Sequence, residues 1–346
     1  MSTLQSHYET VRHRFDYEPA NASVLPSWLE PLRRRFVAVD GTEGIDSALD
    51  QPTLVCMGIG MTGPPHLGTV GQLLTAIELQ AAGLDVQFVL ADLEPYHGGG
   101  DEAEIRALAE RYRIFALDLG FDPERGLLRT QSEARDVMVT GHRLARYYDS
   151  DGWADAGDDE ATTEWEAAVE DLYLDVDSAA RESGPTSAAA EAHSSVLHGA
   201  DFLHPLRTGE YEQILCCFGI DEHDLTPWTR EFGDAAGISG RVGGIYTRMV
   251  PGFDGVPKQS KSIDEGVSLA DDPAAIRERV RSAVDHADPE RSAVFQAMCL
   301  ASRYDAERLD SLAAACEADG MEWTGARRSY AEYVANLAER WRETAE

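Results

Sequence analysis

The sequence predicts an α/β fold built on a parallel sheet, with an N-terminal extension, a helical insertion and a C-terminal helical domain. Three observations predict it. The first is the order of patterns from 53 to 92: 53-TLVCMGIG-60 is a short apolar run ending in glycines, 69-TVGQLLTAIELQAAG-83 has helical spacing and stops at a glycine, and 84-LDVQFVLAD-92 is a second apolar run closed by an acidic residue. Strand, glycine-rich turn, helix and strand make a βαβ unit, which implies parallel strands with helices on the sheet faces. The second is a later pair of apolar stretches, 213-QILCCFGIDE-222 and 244-GIYTRMVPGF-253, which read as further strands. The third is that helical periodicity runs without interruption from 272 onward.

Each remaining segment is then assigned in turn. Residues 1–50 are polar, carry 32-LRRRF-36, and read as a helical extension leading into the core. The main domain spans 51–270. Within it, 101-DEAEIRALAERYRIFALDLG-120 is helical, and 131–200 reads as a mostly helical insertion interrupted by the acidic 149-DSDGWADAGDDEATTEWE-166. Residues 271–346 form the C-terminal helical domain.

Composition narrows the function classes. The 346 residues carry 62 acidic against 30 basic side chains, a formal net charge of −32, which opposes nonspecific binding to nucleic acid or an anionic membrane. Of the 30 basic residues 28 are arginine; the two lysines, Lys258 and Lys261, stand three positions apart in 256-VPKQSKSIDEG-266. An acidic, lysine-poor chain suits a high-salt cytoplasm, where screening suppresses self-repulsion; a high-GC genome would also exchange lysine for arginine. Five cysteines without CxxC spacing argue against a disulfide framework and a zinc site. With no apolar core at the N-terminus for a signal peptide and no run approaching the ~18 residues of a membrane span, the expected home is the cytoplasm, away from membranes.

Two constellations carry chemistry. In 58-GIGMTGPPHLGT-69 the glycines let the backbone approach a ligand, and the helix start offers unpaired N–H groups and a positive dipole end to phosphate, with His66 placed to donate to a phosphoryl oxygen. The spacing is neither GxxxxGK[ST] nor a clean GxGxxG, and a tight turn with a solvated or core-packed His is the alternative. The second is the lysine loop. An ammonium is a compact charge on a flexible stem, so two of them beside Ser260 and Ser262 can follow a leaving pyrophosphate where arginine's planar fork would not; the alternative is an exposed basic loop.

Taken together, these elements resemble the class I aminoacyl-tRNA synthetases of the tryptophanyl/tyrosyl subgroup. The family's HIGH motif is represented by 66-HLGT-69 and its KMSKS loop by 258-KQSKS-262; GxGxTGPxH from Gly58 to His66, 219-GIDEHDLTPWTRE-231 and the C-terminal 312–341 look closest to archaeal-type tryptophanyl enzymes. The resemblance implies a Rossmann-like catalytic domain, ATP and Mg²⁺, an amino acid (tryptophan, then tyrosine) activated as its adenylate, tRNA as acceptor, and a homodimer. It implies that His66, Thr69, Lys258 and Lys261 are catalytic. ATP is expected at Gly58, Gly60, Thr62, Gly63, His66, Gly68, Ser260 and Ser262, and the amino acid at Cys56, His198, Asp201, Asp221 and Glu222; no protein-held metal is expected.

The departures from the family pattern are Thr69 for the second His of HIGH, Gln259 for the Met of KMSKS, Glu222 and His198 for two expected glutamines, and Cys56 for an aromatic residue. An altered pocket leaves open a synthetase-like paralogue with a non-tRNA acceptor, or an inactive binding paralogue. RNA contacts in so acidic a chain would have to rest on local clusters such as Arg33, Arg34 and Arg35 or Arg327 and Arg328. Glu94 and His97 read as pocket rim or structural, Cys216 and Cys217 as core, and 155–171 as a solvated acidic face, while His193, His204 and His223 show no triad partners.

Overall fold

A seven-stranded sheet organises the chain, in the order β1 (Glu18–Pro19), β2 (Phe36–Asp40), β7 (Arg241–Thr247), β6 (Gln213–Gly219), β3 (Thr53–Gly60), β4 (Asp85–Ala91) and β5 (Gly126–Thr130). The structure is a computed structural model that describes residues 3–149, 163–171, 187–259, 266–284 and 286–345. The five strands from β7 to β5 are parallel, and β1 and β2 add antiparallel at the β7 edge. The fold is therefore the predicted α/β class. Residues 1–50, expected as a helical extension, contribute two strands as well as helix α1 (Thr3–Phe15). The signal for β2 is 36-FVAVD-40, a β-rich run of five residues, too short to register beside the three arginines before it.

The chain lays β3, β4 and β5 to one side, then returns to lay β6 and β7 on the other. Strand order thus reverses between β3 and β6, and in open parallel sheets that reversal opens a crevice beyond the carboxyl ends of the strands. Helices cover both faces. On one face, α3 (Leu67–Ala81) and α5 (Glu102–Leu119) share a core with the C-terminal helices α9 (Pro273–Ser282), α10 (Ala293–Leu300), α11 (Ala306–Ala318) and α12 (Met321–Glu343). All eight residues of α10 are buried. A Cβ at Gly71 of α3 would fall 2.3 Å from Leu300 Cγ, so glycine there sets how closely α3 and α10 approach.

On the other face, α1, α7 (Ala188–Thr208) and α8 (Leu225–Ala235) enclose a second core. Between 131 and 200 the described residues are mostly helical, in α6 (Arg135–Leu144), a stretch at 164–171 and the start of α7. Gly199 allows the closest contact here, since a Cβ would meet Phe232 at 2.5 Å. No helix among the described residues is long and apolar enough to cross a membrane.

Candidate active site

At the strand reversal two adjoining cavities of about 350 and 190 Å³ share the walls Gly58, Gly60, Phe218, Asp221 and Glu222. The larger extends under α7, to Ser194, His198, Asp201 and Phe202; the smaller extends to His66, Gly68, Thr69, Lys258 and Gln259. One cleft therefore brings together most of the residues singled out in the sequence. Gly58 lies in the shared wall, where a Cβ would meet the backbone oxygen of its β4 neighbour Val89 at 3.1 Å.

His66 is the N-cap of α3, and its Nδ1 accepts from Gly68 N at 3.0 Å and Thr69 N at 3.4 Å. An accepting Nδ1 places the proton of the neutral ring on Nε2, so the cap fixes the tautomer as well as the helix start. Gly68 is needed for this geometry: a Cβ there would lie 2.7 Å from His66 Cε1. Thr69 lines the same cavity but is buried, with its hydroxyl hydrogen-bonded to Tyr112, whose own hydroxyl donates to Gly63 O at 2.9 Å. Thr62 is exposed and, with Gly63, lies outside both cavity walls.

Lys258 Nζ donates to Asp221 Oδ2 at 3.0 Å, with both side chains mostly shielded. Gln259 is buried; its Nε2 donates to Pro251 O at 3.2 Å, and its Oε1 accepts from Val267 N at 3.3 Å. The glutamine thus ties together the two ends of the loop. Gly266 fits against it with φ +105°, where a Cβ would strike Gln259 Cγ at 2.6 Å. Ser260, Lys261 and Ser262 lie outside the described residues.

Glu222 shows an accessible face to the cleft while protein surrounds its other sides. Burial and then the neighbouring charge of Asp221 push its carboxyl well above the usual range, against the pull of Lys258. His198 stacks among Phe202 and Phe218, at centroid distances of 4.8 and 5.9 Å, and burial lowers its pKa to about 4. Its Nε2 is buried with no hydrogen-bond partner among the described residues. The ring that lines the cavity therefore carries one polar atom that the described residues leave unmatched.

Asp201 also reaches the larger cavity, but both its oxygens are engaged, by Arg129 Nη2 at 2.8 Å and Gln131 Nε2 at 2.9 Å. Burial raises its pKa while Arg129 and Gln131 pull the other way. Cys56 is fully buried and absent from the cavity walls. It shares a strand face with Gly58 and Gly60, but sits one pleat deeper, in the core under α7.

Sequence reasoning missed Ser194, Gln131 and Phe218. Ser194, His198 and Asp201 lie four and three apart, one face of a helix, and that spacing was available. Glu94 lines the larger cavity, and His97 Nδ1 is 2.8 Å from Ser194 Oγ at its edge. Cys216 and Cys217 are in the core as expected.

The arginines proposed for RNA contacts are engaged internally. Arg33 pairs with Glu30 at 2.7 Å and with Asp310, Arg34 pairs with Asp310 at 2.7 Å, and the buried Arg35 donates to Leu300 O and Ser302 O. Arg327 donates to Arg281 O and Ala283 O at 2.9 and 2.8 Å. In a chain with twice as many carboxylates as cations, these guanidinium groups tie the C-terminal helices to the core; Arg328 remains exposed.

Comparison with known proteins shows what this chain is similar to. The family described as tRNA synthetases class I (W and Y) matches residues 49–147, from the start of β3 through α6. Over that stretch the chain is similar to the tryptophanyl and tyrosyl class I tRNA synthetases. It is 26% identical to a tyrosine–tRNA ligase of Methanopyrus kandleri, over 74% of this chain and 72% of that protein. It is 27% identical to the tryptophan–tRNA ligase of the same organism, over 80% and 70%. The synthetase fold extends over nearly the whole chain: the tryptophanyl-tRNA synthetase structure from Aeropyrum pernix matches with a TM-score of 0.72, at 19% identity, over 98% of this chain and 94% of that one. The tyrosyl-tRNA synthetase from Archaeoglobus fulgidus matches with a TM-score of 0.66, at 19% identity, over 93% and 100%.

Proposed function

We propose that this chain activates an amino acid with ATP, as the aminoacyl-adenylate, and passes the acyl group to tRNA as a homodimer. Tryptophan is the first candidate substrate and tyrosine the second. One observation carries this reading: an aromatic-lined cavity containing His198 and Glu222 opens, across Gly58 and Gly60, into a cavity holding the capped His66 and Lys258. The amino acid fits the former and the triphosphate the latter. Its carboxylate oxygen would then bond to the α-phosphorus as the bond to the bridging oxygen of the β-phosphate breaks, and pyrophosphate leaves.

Such chemistry asks the protein for positioning and charge stabilisation more than for covalent participation. His66 would donate from Nε2 to phosphoryl oxygens while its Nδ1 keeps the helix cap. Lys258 would move from Asp221 to the departing pyrophosphate, aided by Lys261. Asp221 and Glu222 would meet the substrate ammonium, which favours the ionised carboxylate. Mg²⁺ would enter with the nucleotide, where it neutralises phosphate charge. The acidic, lysine-poor composition suits work in concentrated salt.

A second reading, adenylate formation for a non-tRNA acceptor, is favoured by one observation: Arg33, Arg34, Arg35 and Arg327 are spent on internal partners. Amino-acid-dependent ATP–pyrophosphate exchange in molar salt tests the activation that both readings share. Charging of total tRNA by the same preparation then separates them.

A further inference from the structure

The acidic segment 155–171, expected as a solvated face, carries one deeply buried side chain among its described residues: Trp165, 3% exposed, in the helical stretch at 164–171. Its indole Nε1 donates across 92 positions to Pro257 O at 3.2 Å, one residue before Lys258. On its other side the ring stacks on His7 of α1, centroids 4.4 Å apart and planes inclined by 28°. His7 is in turn fastened to the same stretch, with Nδ1 3.1 Å from Thr163 Oγ1. Thr163 N donates to Glu166 Oε2 at 2.6 Å, and Oε1 of the same carboxylate lies 3.9 Å from Arg14 Nη1 of α1.

These contacts fix one end of the lysine loop from outside the cleft. Lys258 is held from inside by Asp221, and Gln259 by Pro251 and Val267. Pro257 has no N–H and a restricted φ, so its carbonyl direction governs how the chain enters Lys258. A donor on that carbonyl, backed by a ring packed on a second helix, therefore aims the lysine.

We propose that Trp165 is a positioning residue for the lysine loop, joining the insertion and the N-terminal helix to Pro257 so that Lys258 is presented to the phosphate side of the cleft. This rests on the reading that Lys258 serves ATP, but its principal test does not. Lys258 and Lys261 are the chain's only lysines, so a lysine-specific endoprotease cuts nowhere else. Trp165→Phe keeps the stack on His7 and removes the N–H donor. Losing one hydrogen bond should raise the open population, and with it the rate of cleavage after Lys258 measured by mass spectrometry, about fivefold. Cleavage by an arginine-specific protease, which samples sites throughout the chain, should not change.

His7→Ala, which removes the stacking partner without touching the loop, should shift Lys258 cleavage in the same direction. Where exchange activity is present, Trp165→Phe should raise KM for ATP and leave KM for the amino acid unchanged. Wild-type cleavage after Lys258 in Trp165→Phe, or equal acceleration at lysine and arginine sites, overturns the proposal by reducing Trp165 to core packing. Accelerated cleavage in a protein with no exchange activity upholds it and overturns the catalytic reading instead.

Discussion

Lys258 Nζ stands 3.0 Å from Asp221 Oδ2 where the two cavities of the cleft meet, so the cation proposed to hold phosphate is paired with a carboxylate proposed to hold an amino acid. A substrate ammonium reaching Asp221 competes with Lys258 and weakens its hold. In this arrangement amino acid binding favours transfer of Lys258 to the triphosphate. Lys258→Gln should lower the rate of ATP–pyrophosphate exchange about a hundredfold, the usual cost of removing one preorganised charge-stabilising group. Steady-state exchange kinetics measure it, and the loss should fall on kcat more than on KM for the amino acid.

The proposed reading gives His66 a second duty beside its cap. His66→Asn keeps a side-chain acceptor for the α3 N-terminus but loses the Nε2 donor. It should leave thermal stability near wild type and reduce exchange strongly. Gly68→Ala pushes the imidazole off its cap, because the new Cβ would lie 2.7 Å from Cε1. That change should cost about 1 kcal/mol of stability as well as activity. Thermal denaturation beside exchange assays distinguishes the two variants.

Glu222 supplies a pH dependence with a definite sign. Its carboxyl is raised by burial and by Asp221, so the folded protein binds more protons than the unfolded chain between the ordinary carboxylate range and the raised value. Its effect on stability is absent at lower pH and grows unfavourable as pH rises through that window. Because Glu222 is exposed and solvent screens it, Glu222→Gln should raise the melting temperature only slightly, by about a degree, at and above neutral pH and leave it unchanged in acid. Melting curves from pH 4 to 9 check this, and exchange assays should show a higher KM for the amino acid.

His198 acts in the opposite sense. Burial holds its pKa at about 4, below the ordinary 6.5, so the unfolded chain binds more protons between these values and stability rises with pH across that interval. His198→Phe, a shape suited to the surrounding rings, should flatten the acid limb of the stability profile between pH 4 and 6.5. It should also weaken amino acid binding on the proposed reading, because His198 lines the larger cavity.

The βαβ unit, the glycines of the shared wall, His66 and the lysine loop were legible because each is written locally: apolar runs closed by glycine, a strand-to-helix turn, and two isolated lysines. What the sequence did not show depends on long-range partners. Nothing near 36-FVAVD-40 announces that β7 waits 200 residues later, and Trp165 is hidden in a run of carboxylates. The arginines at 33–35 look like an RNA patch until Asp310, Leu300 and Ser302 take them up. Cys56 shares the face of Gly58, yet α7 covers the lower part of that face and leaves its upper part open.

Amino-acid-dependent exchange of pyrophosphate into ATP, run in molar potassium chloride with each of the twenty amino acids, tests the central claim most directly. The cleft predicts exchange with an aromatic amino acid, tryptophan first, abolished or nearly so in Lys258→Gln. No exchange with any of the twenty, in a preparation shown to be folded by its melting transition, would contradict it.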